Sequence, residues 1–217
     1  MRNDVTVVYY TANKEREDFE AKIRQKLLDV MGNLPLISVS HKPLPGFGDN
    51  ICVGEQPFCD ATAHRQLLIG LKKATTPFVL AAESDCLYPP EYFTFVPPLG
   101  DQAYRYGDVR ILYNWIGPRS QGKFWRKPFC EGAQMCGREQ WIRSIEWALR
   151  KVNGWEKRRP GIVFNSGLQY TWTSKNAVIS CKTTDALRKY AGVTEESSDE
   201  LPYWGSAEKL RKELFNN

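Results

Sequence analysis

Histidine occurs only twice, at 41 and 64, and none of the six cysteines forms a C-x-x-C pair. The paired thiols and histidines of a zinc site are therefore missing. The cysteines, at 52, 59, 86, 130, 136 and 181, read as reduced thiols, several of them in the core. No apolar run approaches the roughly 18 residues that a membrane span needs. The first residues, Met1-Arg2-Asn3-Asp4, are polar and lead into a short strand, so no secretory leader is expected. A Gly-rich, Lys-containing phosphate loop is also absent near the start, where Tyr9-Tyr10-Thr11-Ala12-Asn13 stands instead. That argues against a nucleotidyltransferase. No internal repeat and no linker divides the chain.

What is present is enough for one sizeable core: 217 residues, 42% of them hydrophobic. A single domain is expected. The formal charge is +5, unevenly spread. Residues 101–160 hold thirteen Lys or Arg against six Asp or Glu. A basic middle third suits an anionic partner on one face, or is a solvated Arg-rich surface.

Val5 to Tyr10 is a β-rich apolar run and reads as a buried first strand. Phe19, Ile23, Leu27, Leu28 and Met31 recur at helical spacing until Gly32-Asn33. Leu36 to Ser40 is a second strand, and residues 41–60 read as an ordered loop. A helix is expected over 61–74, then a third buried strand over Phe78 to Ala82. The later chain is less regular: short β pieces over 104–116, a helix over 139–152, a strand over 177–180 and a helical tail over 206–214. Residues 194–200, acidic and polar, read as mobile. This order gives an α/β fold with a mixed, mainly parallel sheet flanked by helices. Ligands of such sheets bind beyond the carboxyl ends of the strands.

At one such end stands Glu83-Ser84-Asp85. Carboxylates two residues apart on a strand point the same way. They can face one hard cation, Mn²⁺ or Mg²⁺, which would bridge a diphosphate and neutralise the leaving phosphate. The plain alternative is an acidic turn after a strand.

The run PFVLAAESDCLYPPEYF, ending at Phe93, resembles the metal-binding segment of GT-A glycosyltransferases, which carry D-x-D or E-x-D here. Val7 to Thr11, LISVSHKPLPGFGDNICVGE and HRQLLIGLKKATTPFV resemble the nucleotide-binding half of small enzymes of that family from bacteria and phages. The likeness covers residues 4–98, a nucleotide-sugar-binding half, and leaves 99–217 as the acceptor-binding half and tail. Tyr113-Asn114-Trp115, Gln134 to Arg138 and Tyr203-Trp204-Gly205 are similar in character only.

The resemblance implies a soluble, cytoplasmic enzyme, of a bacterium or a phage-infected cell, that takes sugar from a nucleotide-sugar donor. It implies that Tyr10, Thr11 and Asn13 border the nucleoside and that Ser38 and Ser40 lie near base or ribose. Asn50, Gly54 and Glu55 would form a closing loop. Arg65 and Gln66 would lie near the diphosphate or sugar, Asp85 would be the principal metal ligand, and Glu83 would contact ribose or metal. Many members add a late-strand histidine to the metal. Here that region reads Val178 to Thr184 without one, and Lys182, with Arg188 or Lys189, is the alternative diphosphate neutraliser.

For an inverting transfer the candidate base is Glu131, in Phe129-Cys130-Glu131-Gly132, with Glu139 second. Trp115, Lys123, Trp125, Arg126 and Lys127, together with Tyr104 to Tyr106, Arg119 and Trp155 to Arg159, interleave aromatics with bases. Such a mix suits a hydroxymethylated pyrimidine in phage-type DNA, or a glycan precursor. A non-catalytic nucleotide-sugar-binding module is the reading from another class.

Overall fold

The first strand, β1 (Val5–Thr11), is buried along its whole length, because its alternating side chains meet a separate core on each face. Val5, Val7 and Tyr9 enter one cluster with Leu27, Leu80 and Trp172. Val8 and Tyr10 enter another with Leu67, Leu71, Trp141 and Ile145. A strand buried on both faces belongs in the middle of a covered sheet. The computed structural model describes residues 4–100, 102–118, 120–128, 130–160, 169–188 and 192–215.

In chain order the elements are β1, α1 (Glu17–Val30), β2 (Leu36–Ser40), β3 (Asp49–Cys52), α2 (Asp60–Lys73), β4 (Phe78–Glu83) and β5 (Cys86–Leu87). There follow β6 (Ala103–Tyr106), β7 (Val109–Tyr113), β8 (Phe124–Lys127), β9 (Gln134–Gly137), α3 (Arg138–Leu149), β10 (Gln169–Trp172) and β11 (Val178–Lys182). The chain closes with β12 (Ser197–Ser198), a small pair β13 (Glu200–Leu201) and β14 (Gly205–Ser206), and α4 (Ala207–Phe215).

The expected mixed, mainly parallel sheet is present as seven strands in the order β10-β6-β9-β4-β1-β2-β3. Only the two pairings of β9 are antiparallel. Helices α2 and α3 cover one face through Leu67, Leu71, Trp141 and Ile145. Helix α2 lies very close to β1, since a Cβ added at Gly70 would collide with the Val8 side chain. A second sheet, β12-β8-β7-β11-β5, was not expected from the sequence. It packs Leu87, Leu112, Phe124 and Ile179 against Phe19 and Ile23 of α1 and Leu210 and Leu214 of α4.

Two expectations are corrected. Residues 41–60 are not all loop, because Asp49–Cys52 adds an edge strand beside β2. Residues 194–200 are held in place: the Arg126 N–H donates to the Glu196 carbonyl, the Arg110 guanidinium donates to the Glu196 carboxylate at 2.6 Å, and Ser197 and Ser198 pair with β8. The division at residue 98 is crossed by both sheets, since β9 pairs with β4 and β11 with β5. Among the described residues no helix is long and apolar enough to cross a membrane.

Candidate active site

Strands β1 and β4 are parallel neighbours and end at the same edge, with Tyr10 in register with Glu83. After Glu83 the chain turns through Ser84-Asp85 and enters the second sheet at Cys86. There β11 runs antiparallel to β5, with Ser180 opposite Cys86. The Cys181 N–H donates to the Asp85 carbonyl at 2.6 Å. Backbone pairing thus carries Lys182 to Asp85, and its ammonium reaches Asp85 Oδ2 at 2.9 Å. Both side chains are largely buried, at 13% and 17% exposed. Burial pushes the Asp85 carboxyl up, but Lys182 outweighs it and holds the group below the usual range. Burial likewise pulls Lys182 down, and Asp85 outweighs that and raises it.

Glu83 sits differently. Its Oε1 accepts the Tyr10 hydroxyl at 2.6 Å, and its N–H donates to the Tyr88 hydroxyl at 2.9 Å. Burial, then Cys130 and Asp85, push its carboxyl up to about 8. Gly132 leaves room for it: an added Cβ would lie 2.5 Å from Glu83 Oε2. Ligand atoms of Glu83, Cys86 and Cys130 all lie within 4.8 Å of one another. A hydrogen bond from Cys86, aided by Lys127, holds the Cys130 thiol down to about 5. So the two carboxylates do not share one environment. Asp85 is matched with an ammonium, and Glu83 lies among a phenol and two thiols.

These groups face a cavity of about 590 Å³. Of the sequence candidates, Tyr10, Thr11, Gln66, Glu83 and Asp85 line it. Lys127, Glu131, Lys182 and Arg188 line it as well. The rest lie elsewhere. Asn13 takes the left-handed conformation, φ 48°, and its Oδ1 accepts the Lys42 N–H at 2.9 Å. Asn50 donates to Ser38 Oγ at 2.8 Å and Ser40 Oγ at 3.0 Å, so these three tie β3 to β2. Glu55 pairs with Lys14 at 3.2 Å. Arg65 is turned to the chain just after α3, where it donates to the Val152 carbonyl at 2.5 Å. Gln66 donates to the Thr11 and Val39 carbonyls, at 2.7 and 3.1 Å, and fastens α2 to the strand ends. Glu139 pairs with its neighbour Arg138.

The basic and aromatic residues do not make one free cationic face. Lys123 is 3.7 Å from Asp199. Arg126 lies between Asp108 and Glu196, at 3.4 and 3.7 Å. Lys127 alternates away from Arg126 along β8 and enters the cavity. Trp125 donates its indole N–H to the Ser120 carbonyl at 2.8 Å, and Trp115 packs on Tyr113. Arg119, Phe129 and Lys189 lie outside the described residues.

The structure adds residues that the sequence did not single out. His64 donates its Nδ1–H to the Asp60 carbonyl at 2.6 Å, which turns Nε2 to within 4.0 Å of Glu131 Oε2. Arg188 grips both oxygens of Asp60, each at 2.9 Å. The signal was the helical period: Asp60, Ala63, His64 and Leu67 fall on one face of α2, the face that lines the cavity. Glu15 and Glu20 also line it, each pushed up by burial to about 7.

No protein-family model matches the chain, and no curated protein matches it. Similar solved structures include a glycosyltransferase involved in glycosylation of the major capsid of the virus PBCV-1 (12% identity, TM-score 0.47), covering 81% of this chain and 92% of that one. Residues 1–349 of S. aureus TarS, in complex with UDP-GlcNAc, are 11% identical with a TM-score of 0.49, over 82% of this chain and 58% of that one. The mannosyltransferase PcManGT from Pyrobaculum calidifontis, with GDP-Man and Mn²⁺, is 16% identical with a TM-score of 0.39, over 71% and 48%. At these identities the likeness is one of fold.

Proposed function

We propose that the chain transfers a sugar from a nucleotide-sugar donor to an acceptor hydroxyl. The observation that carries this is the pairing, at the carboxyl end of β4, of an acidic E-x-D with two lysines around one cavity. Its volume, about 590 Å³, lies within the usual range for a small-molecule site. The Lys127 and Lys182 ammonium groups make it suited to a polyphosphate rather than to an apolar ligand.

In this reading the nucleoside lies by Tyr10 and Thr11, and the diphosphate by Asp85, Lys127 and Lys182. Sugar and acceptor then meet near Glu131 and His64. For an inverting transfer, the bond from the anomeric carbon to the acceptor oxygen forms as the bond to the phosphate oxygen breaks. Glu131 takes the acceptor proton, and the nucleoside diphosphate leaves with the bonding electrons. A second reading places a divalent cation, Mn²⁺ or Mg²⁺, on Asp85 and Glu83. It is favoured by the two carboxylates that the E-x-D sets on the cavity wall. When bound, such an ion would supply Lewis-acid neutralisation of the leaving diphosphate.

The acceptor proposed carries a ring that can stack on a flat aromatic side chain, for which Trp115 and Trp125 are the candidate platforms. A hydroxymethylpyrimidine in DNA and a glycan both satisfy that. The internal ion pairs of Lys123 and Arg126 weaken the case for DNA. A panel of nucleotide sugars, read by thermal shift and by hydrolysis, tests the donor, because a ligand of the native state raises its melting temperature. Radiolabelled transfer onto hydroxymethylated DNA and onto glycans tests the acceptor. Thermal shifts without hydrolysis or transfer on any acceptor would leave a binding module only.

A further inference from the structure

We propose that the Lys182 ammonium, with Lys127 beside it, does the work of a divalent cation in this site, so that the donor diphosphate is bound without metal. The inference rests on the nucleotide-sugar reading above. Asp85, the carboxylate expected to hold the metal, already has a cation 2.9 Å from its oxygen. That cation is not a surface side chain swung inward. Lys182 ends β11, whose antiparallel pairing with β5 and backbone bond from Cys181 to Asp85 fix the two residues side by side. For a metal to take Asp85, a buried ammonium would have to give up its counter-ion, which is unfavourable in a site of low polarity.

The remaining donors suit a hard cation poorly. The Tyr10 hydroxyl occupies one oxygen of Glu83, and the next potential ligands are the sulfurs of Cys86 and Cys130. Mn²⁺ and Mg²⁺ prefer oxygen, and thiols favour softer ions. An incoming phosphate meets no such obstacle. An ammonium has three N–H donors, and the bond to Asp85 engages one of them. Lys182 and Lys127 both line the cavity. Arg188, the other cation considered for this task, is committed to Asp60.

The test uses the intact protein and four nucleoside diphosphates (UDP, GDP, ADP and CDP) in calorimetric titrations. Each is run in EDTA, then with Mn²⁺, Mg²⁺ or Zn²⁺, with the parent nucleosides as controls. The expected result is that one diphosphate binds equally well in EDTA and in metal. Lys182→Met should then weaken it by about tenfold or more, towards the affinity of the bare nucleoside, and Lys182→Arg should keep part of it. Since Lys182→Met strands Asp85, the double variant Asp85→Asn/Lys182→Met is measured alongside, with folding checked by circular dichroism. Binding that appears only with metal overturns the inference and leaves the nucleotide reading standing. Binding in EDTA that Lys182→Met and the double variant leave unchanged overturns it as well. If no diphosphate binds under any condition, the nucleotide reading falls and the inference falls with it.

Discussion

Tyr10 and Glu83 are register partners across β1 and β4, and the Tyr10 hydroxyl donates to Glu83 Oε1 at 2.6 Å. The bond spans 73 residues of sequence and closes the junction of two parallel strand ends. It also stands where burial pushes both groups up, Tyr10 well above the ordinary phenol value and Glu83 to about 8.

A pH dependence follows for Glu83. A carboxyl raised from 4.5 to about 8 is protonated in the folded chain where the unfolded chain has lost its proton. Its contribution is full below the unfolded value and is lost as pH rises through about 8. Every tenfold difference in proton affinity between folded and unfolded chain corresponds to about 1.4 kcal/mol. Glu83→Gln removes the ionisation while keeping the shape. Melting curves from pH 5 to 8 should show the variant gaining on the wild type as pH rises; parallel curves would contradict the assignment. Glu15 and Glu20, each raised to about 7, add to the wild-type slope and are unchanged in the variant.

Gly132→Ala drives a methyl group into the Glu83 carboxyl, whose nearest atoms would be 2.5 to 2.7 Å away. Overpacking of this kind costs about 1–3 kcal/mol. Urea unfolding should show that loss, and calorimetry should show weaker nucleotide binding as Glu83 is displaced. A variant equal to wild type in both would mean the loop yields freely.

Asp85→Asn leaves Lys182 buried without its counter-ion. Breaking a buried pair from one side costs about 3–5 kcal/mol. The variant should therefore melt lower as well as lose transfer. Asp85→Asn/Lys182→Met should recover melting temperature and no activity. Failure of the double variant to recover would show that the stability of this corner lies elsewhere.

Gly70→Ala sets two effects against each other. Alanine favours a helix over glycine by about 0.8–1.0 kcal/mol. The added methyl collides with the Val8 side chain, at about 1–3 kcal/mol. The clash should win, with a net loss of up to about 2 kcal/mol in chemical denaturation. A stabilised variant would mean that α2 moves off β1 at little cost.

The legible elements were those whose sequence pattern is local and strong. β1 and β4 are apolar runs buried on both faces, and α1, α2 and α3 carry apolar residues at helical spacing. β3 was missed because Asp49-Asn50-Ile51-Cys52 is a short edge strand of mixed polarity. β8, β9 and β10 have four residues each, and their pairing is settled by distant partners. Residues 194–200 looked free because their acidic character was visible while the arginines that hold Glu196, at 110 and 126, lie far away in the chain. In the site, the acidic pair was plain from its place after a buried strand. Lys182 was named only as an alternative, since no local pattern shows that β11 lies beside β5. Arg65 turns away from the cavity while His64, one residue earlier on α2, faces it: one helical step turns a side chain by about 100°.

The passage from one sheet to the other at Glu83-Ser84-Asp85 also sets an order for synthesis. Asp85 leaves the ribosome 97 residues ahead of the lysine that neutralises it. During that interval β1, β2 and β4 have been made and Asp85 lacks its counter-ion. Only the pairing of β11 with β5 brings that counter-ion. The Asp85–Lys182 pair therefore cannot exist before the second sheet closes, and a half-made chain carries the acids of this corner without its cation.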